Sequence, residues 1–178
     1  QKRAVNEIFQ NVYSPHGMNR LLQGDVGSGK TAVALCGIFM AVKRGFKAVY
    51  LSPTEVLAEQ NYALLQKYFP DYRVGYLAGG TTAKEKREVK TRLKNGEIDV
   101  LCGTHAVFQG DVEIPNLAFI VCDEQHRFGV AQRAALAEKG EKLLLRGNFK
   151  EDLFLCRDAE YLGYEEPFPI VCLRITPK

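Results

Sequence analysis

Gly24-Asp25-Val26-Gly27-Ser28-Gly29-Lys30-Thr31 fits the pattern G-x-x-x-x-G-K-[ST]. It stands between Arg20-Leu21-Leu22-Gln23, which reads as a short strand, and a helical pattern from Lys30 to about Lys43. Strand, glycine-rich turn and helix in that order are the context a P-loop requires. Glycines let backbone N–H groups turn inward around phosphates, and Lys30 neutralises charge on the β- and γ-phosphates. The Thr31 hydroxyl can ligate Mg²⁺ at the helix N-terminus. Gly24, Asp25, Val26, Gly27, Ser28, Gly29, Lys30 and Thr31 are therefore expected to bind ATP, with Thr31 on Mg²⁺. The helix after them is apolar nearly all round (Ala32, Val33, Leu35, Ile38, Phe39, Met40, Val42), which predicts burial against a sheet, with Gly45 at its C-terminus.

Outward from that stretch, short apolar runs alternate with helical patterns, as in βα units wound into a parallel sheet. Gln1 to about Tyr13 is helical in pattern and breaks at Ser14-Pro15-His16-Gly17. Lys47 to Leu51 reads as a strand, and Thr54 is positioned to N-cap the next helix. Tyr72 to Leu77 is a further strand. Thr82 and Glu85 form a capping box for a helix to Leu93, ended by Asn95-Gly96. Ile98 to Cys102 and Ala118 to Cys122 are two more buried strands. A last helix stops at Gly140, Glu141 to Glu166 has no clean period, and Phe168 to Ile175 reads as one more strand. The class is α/β, with a mostly parallel sheet and helices on both faces.

At 178 residues the chain suits one such domain, 1–178, in which 141–178 forms a divergent tail. No apolar run approaches the roughly eighteen residues of a membrane span, and no signal-peptide pattern opens the chain. It begins at Gln1 inside a helical pattern and reads as a piece of a longer protein. Cys36, Cys102, Cys122, Cys156 and Cys172 lack the close spacing of zinc or redox motifs, and are read as buried thiols in a reducing compartment. A net charge of +3, from 24 Lys and Arg against 21 Asp and Glu, makes any case for a polyanionic partner depend on local features.

Asp123-Glu124 follows the strand Ala118 to Cys122, which brings both carboxylates out at the carboxyl edge of the sheet, where open α/β folds bind ligands. Asp123 would hold Mg²⁺ through water, and Glu124 would orient and polarise the water attacking the γ-phosphate. Lys30, Asp123 and Glu124 form the catalytic set.

A P-loop alone does not separate a helicase from a kinase or a switch GTPase. Three further stretches do: Ser52-Pro53-Thr54-Glu55-Val56-Leu57-Ala58-Glu59-Gln60, Gly103-Thr104-His105-Ala106-Val107-Phe108-Gln109 and Asp123-Glu124-Gln125-His126-Arg127-Phe128-Gly129-Val130. They closely resemble motifs Ia, Ic and II of the RecG family of superfamily 2 DNA helicases, and Met18 to Thr31 resembles its motif I. The likeness runs in order from Gln1 to about Gly140. It implies a first RecA-like motor domain in which Gln125 and His126 sense nucleotide state, acting on branched or forked DNA in the bacterial cytoplasm, at the nucleoid. It also implies that a second RecA-like domain, with its arginine finger, and a wedge domain complete the enzyme. The stretch alone is expected to bind Mg-ATP modestly, hydrolyse it poorly and unwind nothing. The motor of the transcription-repair coupling factor looks similar, but typically has a bulky residue where Ser28 stands and Glu where Gln125 stands.

In that family, motifs Ia and Ic and the loop matching Ala78-Gly79-Gly80-Thr81 line the DNA face. Thr54, Gly79, Thr81 and Thr104 are suited to phosphate contact through hydroxyls and N–H groups, although N-caps and turns use the same residues. Lys84, Lys86, Arg87, Lys90, Arg92 and Lys94 read as a solvated helix face. Tyr62, Tyr68 and Phe69 read as core packing, His105 equally as a partner contact or a residue bonded to local backbone, and Gln1 as a surface glutamine rather than an adenine contact. After Gly140 the likeness stops, and Arg174-Ile175-Thr176-Pro177 matches the family's motif III only in part. Two readings from other classes are a P-loop kinase for a small molecule and a nucleotide-gated interaction module.

Overall fold

The computed structural model describes residues 1–12, 22, 27–109 and 112–123. In chain order the elements are α1 (Lys2–Val12), α2 (Lys30–Lys43), β1 (Lys47–Leu51), α3 (Glu55–Tyr68), β2 (Val74–Leu77), α4 (Ala83–Lys94), β3 (Val100–Gly103), a 3₁₀ turn (His105–Phe108) and β4 (Leu117–Cys122). The strand expected at Arg20 to Gln23, apart from Leu22, and the helix ending at Gly140 and the strand at Phe168 to Ile175 lie outside the described residues.

The four strands pair in the order β2-β3-β1-β4, all parallel. Each needs a crossover to reach its neighbour, and the helices supply it. Period-two alternation then divides the apolar residues between two faces. Ala48, Tyr50, Val100, Cys102, Phe119 and Val121 meet Ile8 of α1, Val33, Ala34 and Ile38 of α2, and Leu65 of α3 in one buried cluster. Val49, Leu51, Leu101, Ile120 and Cys122 join Val89 and Leu93 of α4 and the 3₁₀ turn in the other. Helix α2 and β4 pack closely at Gly37, where an added Cβ would lie 2.2 Å from Cζ of Phe119. A side chain there would force α2 or the Phe119 ring to shift.

The helix ends follow local chemistry. Thr54 caps α3 by accepting the Leu57 N–H at 3.3 Å, and Thr82 and Glu85 complete a capping box on α4. At the far ends, Gly45 and Gly96 return N–H bonds to Val42 and Leu93, while Phe46 and Glu97 return theirs to Ala41 and Arg92.

Three expectations about burial are corrected. Helix α2 is not enclosed all round: Cys36 is exposed and Phe39 is 44% exposed, because α1 and the sheet cover only part of its circumference. Cys36 is accordingly not a buried thiol, whereas Cys102 and Cys122 are. Tyr68 is 58% exposed at the end of α3, while Phe69 is buried and Tyr62 packs against Tyr76, ring centroids 5.3 Å apart. The basic residues of α4 behave as a largely solvated face around buried Val89 and Leu93, except that Lys86 donates to the Gly79 carbonyl at 2.8 Å.

At the amino edge of the sheet one carboxylate ties three strand entrances together. Asp99 precedes β3 and accepts from Lys47 Nζ at 2.8 Å, from Arg73 Nη2 at 2.9 Å and from the Arg73 backbone N–H at 2.9 Å. Partial burial pushes its pKa up, but the hydrogen bonds and charges of Arg73 and Lys47 outweigh this and hold it well below the ordinary carboxylate range. Because the folded-state pKa is depressed, the stabilisation is complete above the unfolded value of about 4 and is lost as pH falls through the folded one. Asp99→Asn should cost about 1–3 kcal/mol in urea unfolding at pH 7. The difference from the parent should shrink as both are titrated below about pH 4; a pH-independent difference would assign the loss to packing.

Candidate functional site

Helix α2 carries the end of the glycine-rich motif at its N-terminus. Its C-terminus turns at Gly45 into the start of β1, so the rest of the helix runs back along the sheet. Fourteen residues at about 1.5 Å each match the length of the strands beneath, which brings Lys30 to the carboxyl edge. Gly29 is the N-cap at φ +82° and Gly27 stands at φ +76°, a backbone that L side chains rarely adopt. Since Gly29 carries no capping side chain, the first-turn N–H groups have no side-chain acceptor from the N-cap, which leaves them suited to an anion. Lys30 is 8% exposed, its Nζ 3.5 Å from Oγ of Ser28. Thr31 is half-buried one position on.

Gln1 donates from Nε2 to the Ser28 carbonyl at 2.8 Å, and its amide occupies the space where a Cβ on Gly29 would sit. It is exposed, as the sequence reading held, yet it is also bonded to the P-loop backbone. A groove of about 300 Å³ beside it is lined by Gln1, Lys2, Val5, Ala32, Val33 and Cys36.

Asp123 follows β4 at the same edge. Its N–H donates to the Leu51 carbonyl at 2.8 Å, which continues the β1–β4 ladder, and Tyr50 Oη donates to its Oδ2 at 3.3 Å. Tyr50 is fully buried in β1, and that burial, with the Asp123 charge beside it, raises the phenol pKa well above its usual value. Tyr50 thus stays protonated as a donor. The sequence reading missed this residue. Its signal was parity: Tyr50 pairs with Val121, so its face is also that of Asp123. Gly24, Asp25, Val26, Glu124, Gln125 and His126 lie outside the described residues.

The four residues matched to the DNA face also gather at this edge, because Leu77, Leu51 and Cys122 end their strands in register with or beside Gly103. Thr54 and Gly79 are exposed, and Thr81 is half-buried with its Oγ1 accepting the Ala78 N–H at 2.9 Å. Thr104 differs. It is 2% exposed, and its hydroxyl has no hydrogen-bond partner among the described residues. His105 is half-buried in the 3₁₀ turn.

A family model for the DEAD/DEAH box helicases matches residues 1–154. The chain belongs to the DEAD/DEAH box helicase family. Among curated helicases of this family it is 50% identical over 141 residues to the ATP-dependent DNA helicase RecG of Streptococcus pneumoniae, covering 79% of this chain and 21% of that protein. It is 49% identical over 143 residues to RecG of Thermotoga maritima, covering 79% of this chain and 18% of the other. The chain therefore spans about a fifth of the length of these relatives. A solved RecG bound to a three-way DNA junction superposes with a TM-score of 0.70 at 35% identity, over 98% of this chain and 20% of that one. A DEAD-box helicase bound to single-stranded RNA gives 0.67 at 18% identity over 96% of this chain and 39% of the other, which shows the shared RecA-like fold. Among the described residues no helix is long and apolar enough to cross a membrane.

Exposure and burial separate the cysteines chemically. The Cys102 thiol is pushed up to about 12 by burial and sits 3.4 Å from the Ala58 carbonyl. With Cys156 and Cys172 replaced by serine, a thiol reagent such as DTNB should label Cys36 within minutes and Cys102 and Cys122 only after denaturant is added. Equal rates for all three in the folded protein would contradict the burial described above.

Proposed function

We propose that this chain is the ATP-binding motor domain of a RecG-like DNA helicase. It would couple ATP hydrolysis to translocation on branched DNA, and so to fork reversal and branch migration in recombination and repair. The observation that carries this reading is a single sheet edge holding both the P-loop helix terminus with Lys30 and the Asp123 carboxylate, beside the exposed Thr54 and Gly79. Its near-50% identity to RecG proteins supports the same conclusion.

Each residue has a defined task. The Gly27–Gly29 turn and the first N–H groups of α2 would cradle the phosphates, and Lys30 would offset the charge that builds on the γ-phosphate as its bond to the leaving group stretches. Half-buried at the helix start, the Thr31 hydroxyl and the Asp123 carboxylate are oxygen donors of the kind a hard divalent cation takes. Mg²⁺, when bound there, would supply charge neutralisation at the β- and γ-phosphates. Glu124 would orient a water and accept its proton as the oxygen adds to phosphorus, giving ADP and phosphate. Gln125 and His126 would report the nucleotide state to the second motor domain, whose arginine finger accounts for a further factor on the order of a thousand in rate. Thr54, Gly79 and Thr81 would hold a DNA backbone without reading sequence, with Thr104 behind them in the turn.

The test is a titration with a fluorescent Mg-ATP analogue, with and without forked DNA, beside Lys30→Ala. Saturable binding should fall by a factor of about ten or more in Lys30→Ala, the loss expected for one charged phosphate contact. In the full-length protein DNA should raise ATP turnover with little sequence preference. Turnover that ignores DNA but transfers phosphate to a small molecule would replace this reading with a kinase. Binding of ATP and DNA without turnover in the full-length protein would replace it with a nucleotide-gated module.

A further inference from the structure

Glu55 is the first residue of α3, directly after the capping residue Thr54, and its side chain leaves its own helix to reach the turn after β2. Oε1 accepts the Gly80 N–H at 2.6 Å, a charge-assisted bond. The carboxylate lies against the turn so closely that a Cβ on Gly79 would be 2.8 Å from Oε1, and one on Gly80 2.8 Å from Oε2. From the other side, Lys86 of α4 donates to the Gly79 carbonyl at 2.8 Å, and within the turn Thr81 Oγ1 takes the Ala78 N–H. A turn of two consecutive glycines, the most permissive backbone available, is thus tied down from both flanking helices.

We propose that Glu55 is a positioning residue that locks the Gly79-Gly80 turn to the N-terminus of α3, so that Thr54, Gly79 and Thr81 meet a nucleic-acid backbone as one pre-set surface. The inference rests on the function proposed above. Its physical logic is preorganisation: ordering two glycines at the moment of binding subtracts from affinity, and a carboxylate that has already fixed them removes that cost. The charge itself works against a polyanion, since Glu55 is exposed on the same face. What the site uses is the acceptor, and the two can be separated by substitution.

The test uses the full-length protein with a fluorescent three-way junction, in Glu55→Gln, which keeps an acceptor and removes the charge, and in Glu55→Ala, which removes both. Glu55→Ala should raise the DNA concentration for half-maximal ATP turnover about 5- to 10-fold, with the rate at saturating DNA held within about twofold. Glu55→Gln should bind as well as the parent or better. The slope of affinity against salt should be the same in all three, because no phosphate contact is gained or lost. Gly80→Ala should reproduce the Glu55→Ala defect, and the double variant should add little to either. Tighter binding with a steeper salt slope in both Glu55 variants would overturn the proposal in favour of a carboxylate that competes with phosphate. Unchanged half-saturation in Glu55→Ala, with DNA-stimulated turnover intact in the parent, would overturn it outright. A parent protein whose turnover ignores DNA would instead bring down the underlying functional reading.

Discussion

The absence of a side chain at Gly37 lets α2 lie directly on the ring of Phe119, and most of the site depends on that contact. It sets the height and line of α2 over β1 and β4, while Ala34, Ile38 and Ala41 fill the interface on either side. With the helix fixed along its length, its N-terminus has one place to be, the carboxyl edge beside the end of β4. Gly27, Gly29, the buried Lys30 and the first N–H groups of α2 are then gathered at that edge. Preorganised donors and charge of this kind would bind an anion without first having to move.

The two edges of the sheet treat their carboxylates differently. At the amino edge Asp99 is held by two cations, Lys47 and Arg73, and the result is a clasp on the entrances of β1, β2 and β3. At the carboxyl edge Asp123 takes a bond from the tyrosine hydroxyl of Tyr50, and Glu55 from the backbone N–H of Gly80. Each of these neutral donors fixes the direction of the carboxylate oxygen it reaches. The first arrangement ties strand entrances together, and the second sets where single carboxylate oxygens point.

Local signals made most of the fold legible. The Thr54 cap, the Thr82–Glu85 box and the glycines after α2 and α4 are decided within a few residues of chain, and the helices begin and end where those signals put them. Strand positions were legible for a similar reason, since runs such as Lys47 to Leu51 are apolar on both faces and only a sheet covered on both sides can bury them. Burial around α2 was not legible. An apolar circumference says that a helix would gain from cover, but how much cover exists depends on neighbours such as α1, and Cys36 and Phe39 are left outside it.

The candidate site divides along the same line. Lys30 and Asp123 could be named because each is marked by its neighbours in sequence: glycines before one, an apolar strand before the other. Tyr50 and Glu55 could not, because their partners are 73 and 25 residues away and the pairing exists only once register is fixed. Parity gives half of such an answer, placing Tyr50 and Asp123 on one face once β1 and β4 are paired. The other half is strand order, and here the sequence is silent, because the helical connection after β1 would equally allow β1 to lie beside β2, the next strand in the chain. The order β2-β3-β1-β4 makes the tyrosine a neighbour of the aspartate. In this domain the candidate site residues announce themselves locally, and the partners that orient them emerge only from topology.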